Sequence, residues 1–217
     1  MASASKTAPA AKKDVFSIPT QQLRFRCTGI SPLLMNNPEA MLKQRGNGGP
    51  KVGGRAIPTP EVEAENGAYR DGDGLIFPTA AFRNCLLSGA KPMSFKPSGR
   101  GRAISFKTFL SGLLFAVGER VKLEQPNGTR LGPLDYEVSV MRAVPPGQGA
   151  VLRARPMVRQ WACDVTFEYL TEYVGVAEEF ATSVLEAFRR AGLTVGVGNY
   201  RPEKNGPFGR YNVELLA

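Results

Sequence analysis

The chain has 217 residues, of which 42% are hydrophobic, and this is enough apolar material for one well-buried domain. It carries 28 Lys and Arg against 19 Asp and Glu, a formal net charge of +9, so a polyanionic partner is expected. It contains no histidine, which excludes the commonest general base and the commonest metal ligand from any site.

The cysteines and the apolar segments indicate a cellular compartment. Cys27, Cys85 and Cys163 are far apart and lack the spacing of a zinc site or a disulfide framework, so we expect buried thiols in a reducing environment. The longest apolar run, Leu113 to Val117, is too short to cross a membrane, and no signal peptide follows the start. The sequence therefore predicts a cytoplasmic protein, bacterial or phage-encoded, that does not associate with membranes.

The first segments along the chain are a tail, a strand and a long insert. Residues 1–20 predict a flexible basic tail that precedes one domain over residues 21–217. Alternation from Gln22 to Gly29 predicts a strand with one apolar and one basic face, and Asn37-Pro38 predicts the start of a short helix. Between residues 46 and 74 the periodicity is lost, so this segment is predicted to be a solvated loop inserted into the domain.

A strand, a helix and a basic insert are predicted next. Leu75 to Pro78 indicates a short strand, followed by a helix that Thr79 caps and Gly89 ends. A glycine-rich loop without acidic residues follows over residues 91–107, and this one-sided charge favours a phosphate-contacting surface. The phosphate contacts predicted from this part of the chain are Arg83, Lys96, Arg100, Arg102 and Lys107.

Four more strands are predicted between residues 109 and 155. They cover Phe109 to Val117, Glu119 to Leu123, Tyr136 to Val144 and Ala150 to Arg155. Arg153 and Arg155 belong to a second run of arginines without acidic residues, so they are also predicted to contact phosphates.

The last third of the chain has the clearest periodicity. Trp161 to Tyr169 alternates as a strand, and Ala177 to Ala191 has the apolar face of a helix that Gly192 closes. Leu193 to Val197 and Tyr211 to Leu215 are predicted to be strands on either side of a glycine-rich loop.

This loop combines glycines, cations and aromatic rings. Glycine lets the main chain approach a phosphate, successive N–H groups can form an anion-binding nest, and aromatic rings stack on unpaired bases. A tight hairpin with its rings in the core is the alternative interpretation. The predicted side-chain contacts are Tyr200, Arg201, Lys204, Phe208 and Arg210, and the predicted backbone contacts are Gly196, Gly198, Gly206 and Gly209.

The order strand, helix, strand occurs twice, early in the chain and at its end. We therefore predict an α+β, ferredoxin-like (RRM-like) antiparallel sheet with helices on one face, long inserted loops or hairpins and a C-terminal glycine-rich loop. The uncovered face of such a sheet is a common platform for single-stranded nucleic acid.

Three motifs resemble the RAMP superfamily of CRISPR-associated proteins, in particular the subunit that polymerises along guide RNA as the backbone of effector complexes. They are the strand that leads into Gly29-Ile-Ser-Pro-Leu-Leu34, the segment Leu75-Ile-Phe-Pro-Thr-Ala-Ala-Phe-Arg83, and the glycine-rich loop from Gly196 to Arg210. The resemblance implies a ferredoxin-like core, RNA that lies across subunits, and a protruding hairpin or thumb formed by residues 46–74 or 91–107.

The sequence departs from this family at two points. RNA-cleaving backbone subunits are expected to place an aspartate soon after the segment that matches Ser31 to Leu34, whereas this chain continues Met35-Asn-Asn-Pro-Glu39. RAMP processing nucleases often use histidine, which this chain lacks. Both departures argue against cleavage, and a phage or mobile-element relative that coats single strands without a CRISPR role also fits.

Three functions are consistent with the sequence. The leading hypothesis is a non-catalytic protein that binds single-stranded RNA or DNA and forms a homo-oligomer along it, without a cofactor or a metal. The first alternative is a structural protein of a phage virion or its assembly, and the second is a metal-dependent nuclease that works without histidine. The candidate magnesium ligands of such a nuclease are Glu39, Asp71, Asp73, Asp164 and Glu203.

Overall fold

The computed structural model describes residues 18–39, 59–99, 101–143 and 151–216. The helices are α1 (Pro60–Gly67), α2 (Thr79–Gly89), α3 (Phe106–Leu113) and α4 (Ala177–Thr194), with a 3₁₀ turn at Pro202–Lys204. The strands are β1 (Thr20–Gly29), β2 (Leu33–Leu34), β3 (Ile76–Pro78), β4 (Ser94–Phe95), β5 (Ile104–Ser105), β6 (Leu114–Ala116), β7 (Arg120–Lys122), β8 (Glu137–Ala143), β9 (Val151–Val158), β10 (Ala162–Leu170) and β11 (Tyr211–Leu216).

The main sheet is antiparallel, and its strands lie in the order β11-β1-β10-β6. Along the chain, these strands and the helices that cover them follow the order β1, α2, β6, β10, α4, β11. The chain therefore contains two strand-helix-strand units whose strands lie in the order of the ferredoxin-like topology. The predicted α+β, ferredoxin-like fold class is therefore confirmed.

Alternation along the strands determines which face of the main sheet is covered. Phe25 and Cys27 of β1 are buried, and Cys27 lies directly opposite Cys163 of β10. The ring of Phe188 on α4 meets Phe25 edge-on, with the ring centroids 5.3 Å apart. Each large apolar side chain buried in this way contributes about 1.5–3 kcal/mol to folding.

Helices α2 and α4 pack closely against each other on this covered face. Gly89 of α2 lies so near α4 that a Cβ atom at residue 89 would be 2.5 Å from the Cβ of Ala191. A larger side chain would force the helices apart, so the glycine that ends α2 also sets their spacing.

The uncovered face of the main sheet carries paired charges. Arg26 contacts Glu124 at 2.9 Å and Asp164 at 3.0 Å, and Arg24 lies 3.6 Å from Asp164. Phe115 of β6 is 45% exposed on this face. The predicted platform for nucleic acid therefore has balanced charge here, without the surplus of cations that such a surface uses.

A second sheet, with the strand order β2-β9-β8, is closed at one edge by helix α1. Glu63 of α1 accepts hydrogen bonds from the N–H of Ala154 at 3.0 Å and from Arg155 at 2.9 Å, and Arg153 contacts it at 3.3 Å. Because a free strand edge leaves N–H groups without acceptors, this carboxylate takes the place of a neighbouring strand.

Strands β8 and β9 form the longest hairpin among the described residues, and it differs from the two segments that the resemblance suggested for a thumb. Val138, Val140 and Leu152 lie on one face of this hairpin and are 39%, 51% and 72% exposed. The described part of residues 91–107 contains the short β4–β5 hairpin and the first residues of α3.

Helix α1 lies within residues 46–74, where the sequence predicts a solvated loop. Thr59 accepts a hydrogen bond from the N–H of Val62, and Pro60 occupies the first turn, so the local sequence does start a helix. The loop prediction is wrong here because α1 buries little more than Ala64 and therefore lacks apolar periodicity.

Helix α3 overlaps the predicted strand from Phe109 to Val117, which is wrong in its first half. Phe106, Phe109, Leu110 and Leu113 are buried at helical spacing. The apolar run continues from α3 into β6 without a break, so the sequence does not mark the point where the period changes.

Helix α4 continues past Gly192, the predicted end of the helix, so the strand predicted from Leu193 to Val197 is also wrong. Gly192 is packed against Tyr211, where it leaves no room for a side chain. The tail over residues 1–17 and the helix predicted beyond Glu39 lie outside the described residues.

Candidate nucleic-acid interface

The glycine-rich loop, residues 195–210, folds back onto the segment that follows β1. The N–H of Gly209 donates to the carbonyl of Pro32 at 2.8 Å, and the N–H of Asn199 donates to the carbonyl of Leu34 at 2.7 Å. Two segments that are more than 160 positions apart in the sequence therefore form one structural unit.

The four glycines in this loop serve its own geometry. Gly196, Gly198 and Gly209 have φ angles of +70°, +82° and +69°, which side chains disfavour. The N–H groups of Gly196, Gly206 and Gly209 donate to main-chain carbonyls at 2.8 to 3.0 Å. An anion nest requires free N–H groups, so these three do not form the predicted nest.

Two aromatic rings lie at the surface of this loop. Tyr200 is 47% exposed, Phe208 is half-buried, and their ring centroids are 6.3 Å apart. Gly206 lies against Tyr200, where a Cβ atom would overlap the tyrosine carbonyl, so the tight turn holds the ring in place. Both rings have accessible surface on which an unpaired base can stack.

Arg201 is engaged within the loop. Its guanidinium contacts Glu203 at 2.7 Å and the carbonyl of Gly198 at 3.2 Å. The hydrogen bond from Arg201 is the largest influence on Glu203 and, together with the charges of Lys91 and Lys204, holds the pKa of that carboxyl below its usual value despite some burial. Arg201 therefore shapes the loop, while Lys91 and Lys204 stand close enough to act on the same carboxylate.

Three cations near the loop remain available to a ligand. Lys91 follows the end of α2, and Lys204 and Arg210 belong to the loop. All three are exposed, and within the described ranges none of them forms an ion pair. Lys204 and Arg210 are among the predicted phosphate contacts, whereas Lys91 is not, although it lies in the same acid-free run as Lys96 and Arg102.

A cavity of about 530 Å³ lies between helix α2 and the glycine-rich loop. Its walls combine one face of α2 with the loop and with residues that precede both. The lining residues are Asn36, Tyr69, Phe77, Pro78, Ala81, Asn84, Cys85, Ser88, Val195, Gly196, Val197, Gly198, Asn199, Tyr200, Arg201, Glu203 and Lys204.

The cavity lining combines apolar side chains with uncharged amides and hydroxyls. The side-chain amides of Asn36, Asn84 and Asn199 make no hydrogen bond to another side chain or to the main chain of the described residues. The hydroxyl of Tyr69 donates to the main-chain carbonyl of Asn36 at 3.3 Å, and burial raises the pKa of this tyrosine. Sequence reasoning missed these residues because they come from four separate segments.

Cys85 forms part of the cavity wall as a neutral thiol. Burial raises its pKa to about 12, and the hydroxyl of Tyr211 donates to its sulfur at 3.1 Å. The thiol in turn lies 3.5 Å from the carbonyl of Ala191. It therefore adds no charge at neutral pH.

Three of the predicted phosphate contacts are held by other parts of the chain. Arg83 donates to the carbonyls of Leu114 at 2.7 Å and Ser111 at 3.0 Å, at the end of α3. Arg153 and Arg155 contact Glu63, as described above. Arg83 is bound to main-chain carbonyls, and Glu63 neutralises part of the charge of Arg153 and Arg155. The sequence could not show these contacts, because the partners come from other elements.

Lys96, Arg102 and Lys107 are exposed on or beside the β4–β5 hairpin, and Arg100 lies outside the described residues. Phe95 anchors this hairpin by stacking on the rings of Phe106 and Phe109, with centroids 5.2 and 5.0 Å apart. The N–H of Ser98 donates to the carbonyl of Tyr173, whose side chain is 54% exposed. The structure thus gives the basic insert a fixed base and an exposed ring nearby.

No protein-family model matches the sequence, and no curated protein matches it. Among solved structures, the chain is similar to Cmr6 from Pyrococcus furiosus, with a TM-score of 0.43 and 10% identity over 90% of this chain and 99% of that chain. This degree of similarity does not establish a family, so the RAMP resemblance stays a prediction.

The candidate magnesium ligands do not gather into a site. Glu39 contacts Arg120, Asp71 contacts Arg130, and the remaining contacts of Asp164 and Glu203 are described above. In the part of the chain that the structure describes, no three Asp, Glu or Cys residues come together as a potential metal-binding group.

Asp71 closes a turn with Asp73. Although desolvation opposes it, the N–H groups of Asp73 and Gly74 and the charge of Arg130 lower the pKa of Asp71. All of these contacts are to one carboxylate oxygen, Oδ1. None of the described helices is both long and apolar enough to span a membrane.

Proposed function

We propose that this protein binds single-stranded nucleic acid, RNA or DNA, without cleaving it. The observation that carries the proposal is the combination of the Tyr200 and Phe208 rings with the exposed cations Lys91, Lys204 and Arg210, which form no ion pair with any described residue, around one loop. Cations neutralise the phosphates of a strand while exposed rings stack on its bases, which a duplex would keep within its own stack.

The strand would follow the edge of the helical layer from the glycine-rich loop to the β4–β5 hairpin. Lys91 lies between these two regions, since it is near Glu203 of the loop and begins the segment that leads into the hairpin. Lys96, Arg102 and Lys107 would continue the line of positive charge. The uncovered sheet face fits less well because its arginines are paired with carboxylates.

Oligomerisation along the strand and a cytoplasmic setting belong to the same proposal. A strand longer than one binding site offers adjacent positions to several copies, and the RAMP resemblance includes such an arrangement. The three free cysteines are buried, as a reducing compartment allows.

A role in assembly has one observation in its favour. The apolar row of Val138, Val140 and Leu152 on the β8–β9 hairpin is exposed, and rows of this kind often mark protein contacts. A stable assembly of the nucleic-acid-free protein, broken by Val140→Asp, would support a virion or assembly protein over a strand-coating one.

Two pairs of substitutions test the proposal directly. Lys91→Gln with Lys204→Gln removes two cations from the proposed path, and Arg24→Gln with Lys122→Gln removes the same charge elsewhere on the surface. Binding of a labelled single strand is measured by fluorescence anisotropy at several salt concentrations. The slope of log K against log salt should shrink by about 1.4 for the first pair and much less for the second. Equal effects of the two pairs would contradict the proposed path.

A further inference from the structure

The cavity between α2 and the glycine-rich loop has hydrogen-bonding capacity that phosphate contacts would not use. Asn36, Asn84 and Asn199 line it from three different segments, and their amides have no partner among the described residues. Each amide offers two N–H donors and a carbonyl acceptor. Donors and acceptors of this kind match the edge of a planar polar group such as a nucleobase.

The charge of the cavity does not favour a phosphate inside it. Arg201 is paired with Glu203 at 2.7 Å, and burial keeps Cys85 protonated. Lys204 is exposed to solvent, where it can reach a phosphate outside the cavity. The lining therefore carries one net positive charge, that of the exposed Lys204, and is otherwise neutral.

The size and walls of the cavity also fit a base. Its volume of about 530 Å³ falls within the range of small-molecule sites. Tyr69 and Tyr200 contribute rings to the wall, and the ring of Tyr69 is held edge-on against Phe77 with the centroids 5.5 Å apart. A base that enters would exchange stacking in the strand for contact with these rings.

We infer that the cavity takes one unpaired nucleobase and recognises its hydrogen-bonding edge through Asn36, Asn84 and Asn199. The inference rests on the proposed function, because the base would come from the strand that the outer cations hold. It adds that binding depends on which base is present.

Four labelled homopolymeric strands of equal length, one for each base, test this inference. We expect the intact protein to bind the best strand about tenfold more tightly than the worst, as amide contacts to a base edge allow. Asn84→Leu with Asn199→Leu should reduce that preference to about twofold, and the worst strand should keep its affinity because its phosphate contacts are unchanged.

Equal affinity of the intact protein for all four strands would overturn the inference and leave the proposed function in place. An undiminished preference in the double variant would also overturn it. If no strand binds at low salt, the proposed function itself fails.

A second measurement separates a base in the cavity from a phosphate and needs no strand. Free nucleosides and inorganic phosphate are titrated separately into the ¹⁵N-labelled protein. A nucleoside should shift the side-chain amide signals of Asn84 and Asn199, and phosphate should leave them in place. Shifts with phosphate alone would show an anion site and overturn the inference.

Discussion

Arg201 and Lys204 are three positions apart in one loop, but they differ in how available their charge is to a ligand. The guanidinium of Arg201 donates hydrogen bonds to Glu203 and to the carbonyl of Gly198, whereas Lys204 is exposed without an ion pair in the described part of the chain. An arginine that forms a planar pair with a carboxylate gives rigidity, and a free lysine gives charge. Binding energy for phosphates is therefore expected from Lys204, with Arg201 holding the loop in shape.

The sequence identified the residue types at this site better than their roles. Arg83, Arg153 and Arg155 have no acidic neighbour in sequence, but the groups that hold them, among them Glu63, come from other elements. Lys91 was passed over because its position next to Glu203 arises only when α2 packs beside the loop. Partners that meet through tertiary packing leave no local pattern.

The thiols give a prediction at the scale of single residues. Cys27, Cys85 and Cys163 are buried, and burial holds the pKa of Cys85 at about 12 and raises that of Cys27 well above its usual value. None of them should react with a disulfide reagent in the native protein at mildly alkaline pH, because all three thiols are enclosed and burial disfavours the reactive thiolate of Cys27 and Cys85. All three should react in denaturant, measured by the absorbance of the released thiol, and rapid reaction in the native state would contradict the burial described here.

Among the helices, α1 has the weakest apolar periodicity in the sequence, yet it has a clear structural role in covering the edge of β9. It lacks an apolar face and is held to the second sheet by Glu63, whose side chain is 12% exposed. This carboxylate serves the N–H of Ala154 and two arginines at once. The element could be anticipated from Thr59 and Pro60, but its docking could not.

Glu63→Gln tests this docking. The neutral amide loses the charge that pairs with Arg153 and Arg155, so the free energy of unfolding should fall by about 2 kcal/mol, less than for a fully buried pair because Arg153 is partly exposed. Chemical denaturation measures the change. Glu61→Gln, on an exposed position of the same helix, is the matched control and should cost less than about 0.5 kcal/mol. Equal losses in both variants would contradict the role of Glu63.

Strands β1 and β10 and helix α4 were predicted from alternation and from apolar spacing, and the structure confirms all three with small differences at their ends. Long elements with one buried face carry this information in every residue. Helix α3 and strand β6 share one short apolar run, so period alone could not separate them. The cavity could not be predicted from the sequence either, because its three amides come from separate segments that meet only in the folded chain.

For the whole molecule, the charged side chains form two surfaces that differ in ion pairing. The uncovered sheet face has arginines paired with Asp164 and Glu124, whereas Lys91, Lys204 and Arg210 have no acidic partner among the described residues. The net charge of +9 belongs to the whole chain, and we expect its contribution to binding to come mainly from Lys91, Lys204 and Arg210. The apolar row on the β8–β9 hairpin is a third surface, separate in chemistry from both.

The central claim is that this chain binds single-stranded nucleic acid through cations and exposed rings. The most direct test is a titration of labelled single strands and of duplexes of the same sequence, followed by anisotropy over a range of salt concentrations. The account predicts tighter binding of the single strand, because Tyr200, Phe208 and the cavity need unstacked bases, and affinity that falls as salt rises. No binding at low salt, or a duplex bound as tightly as its single strand, would contradict it.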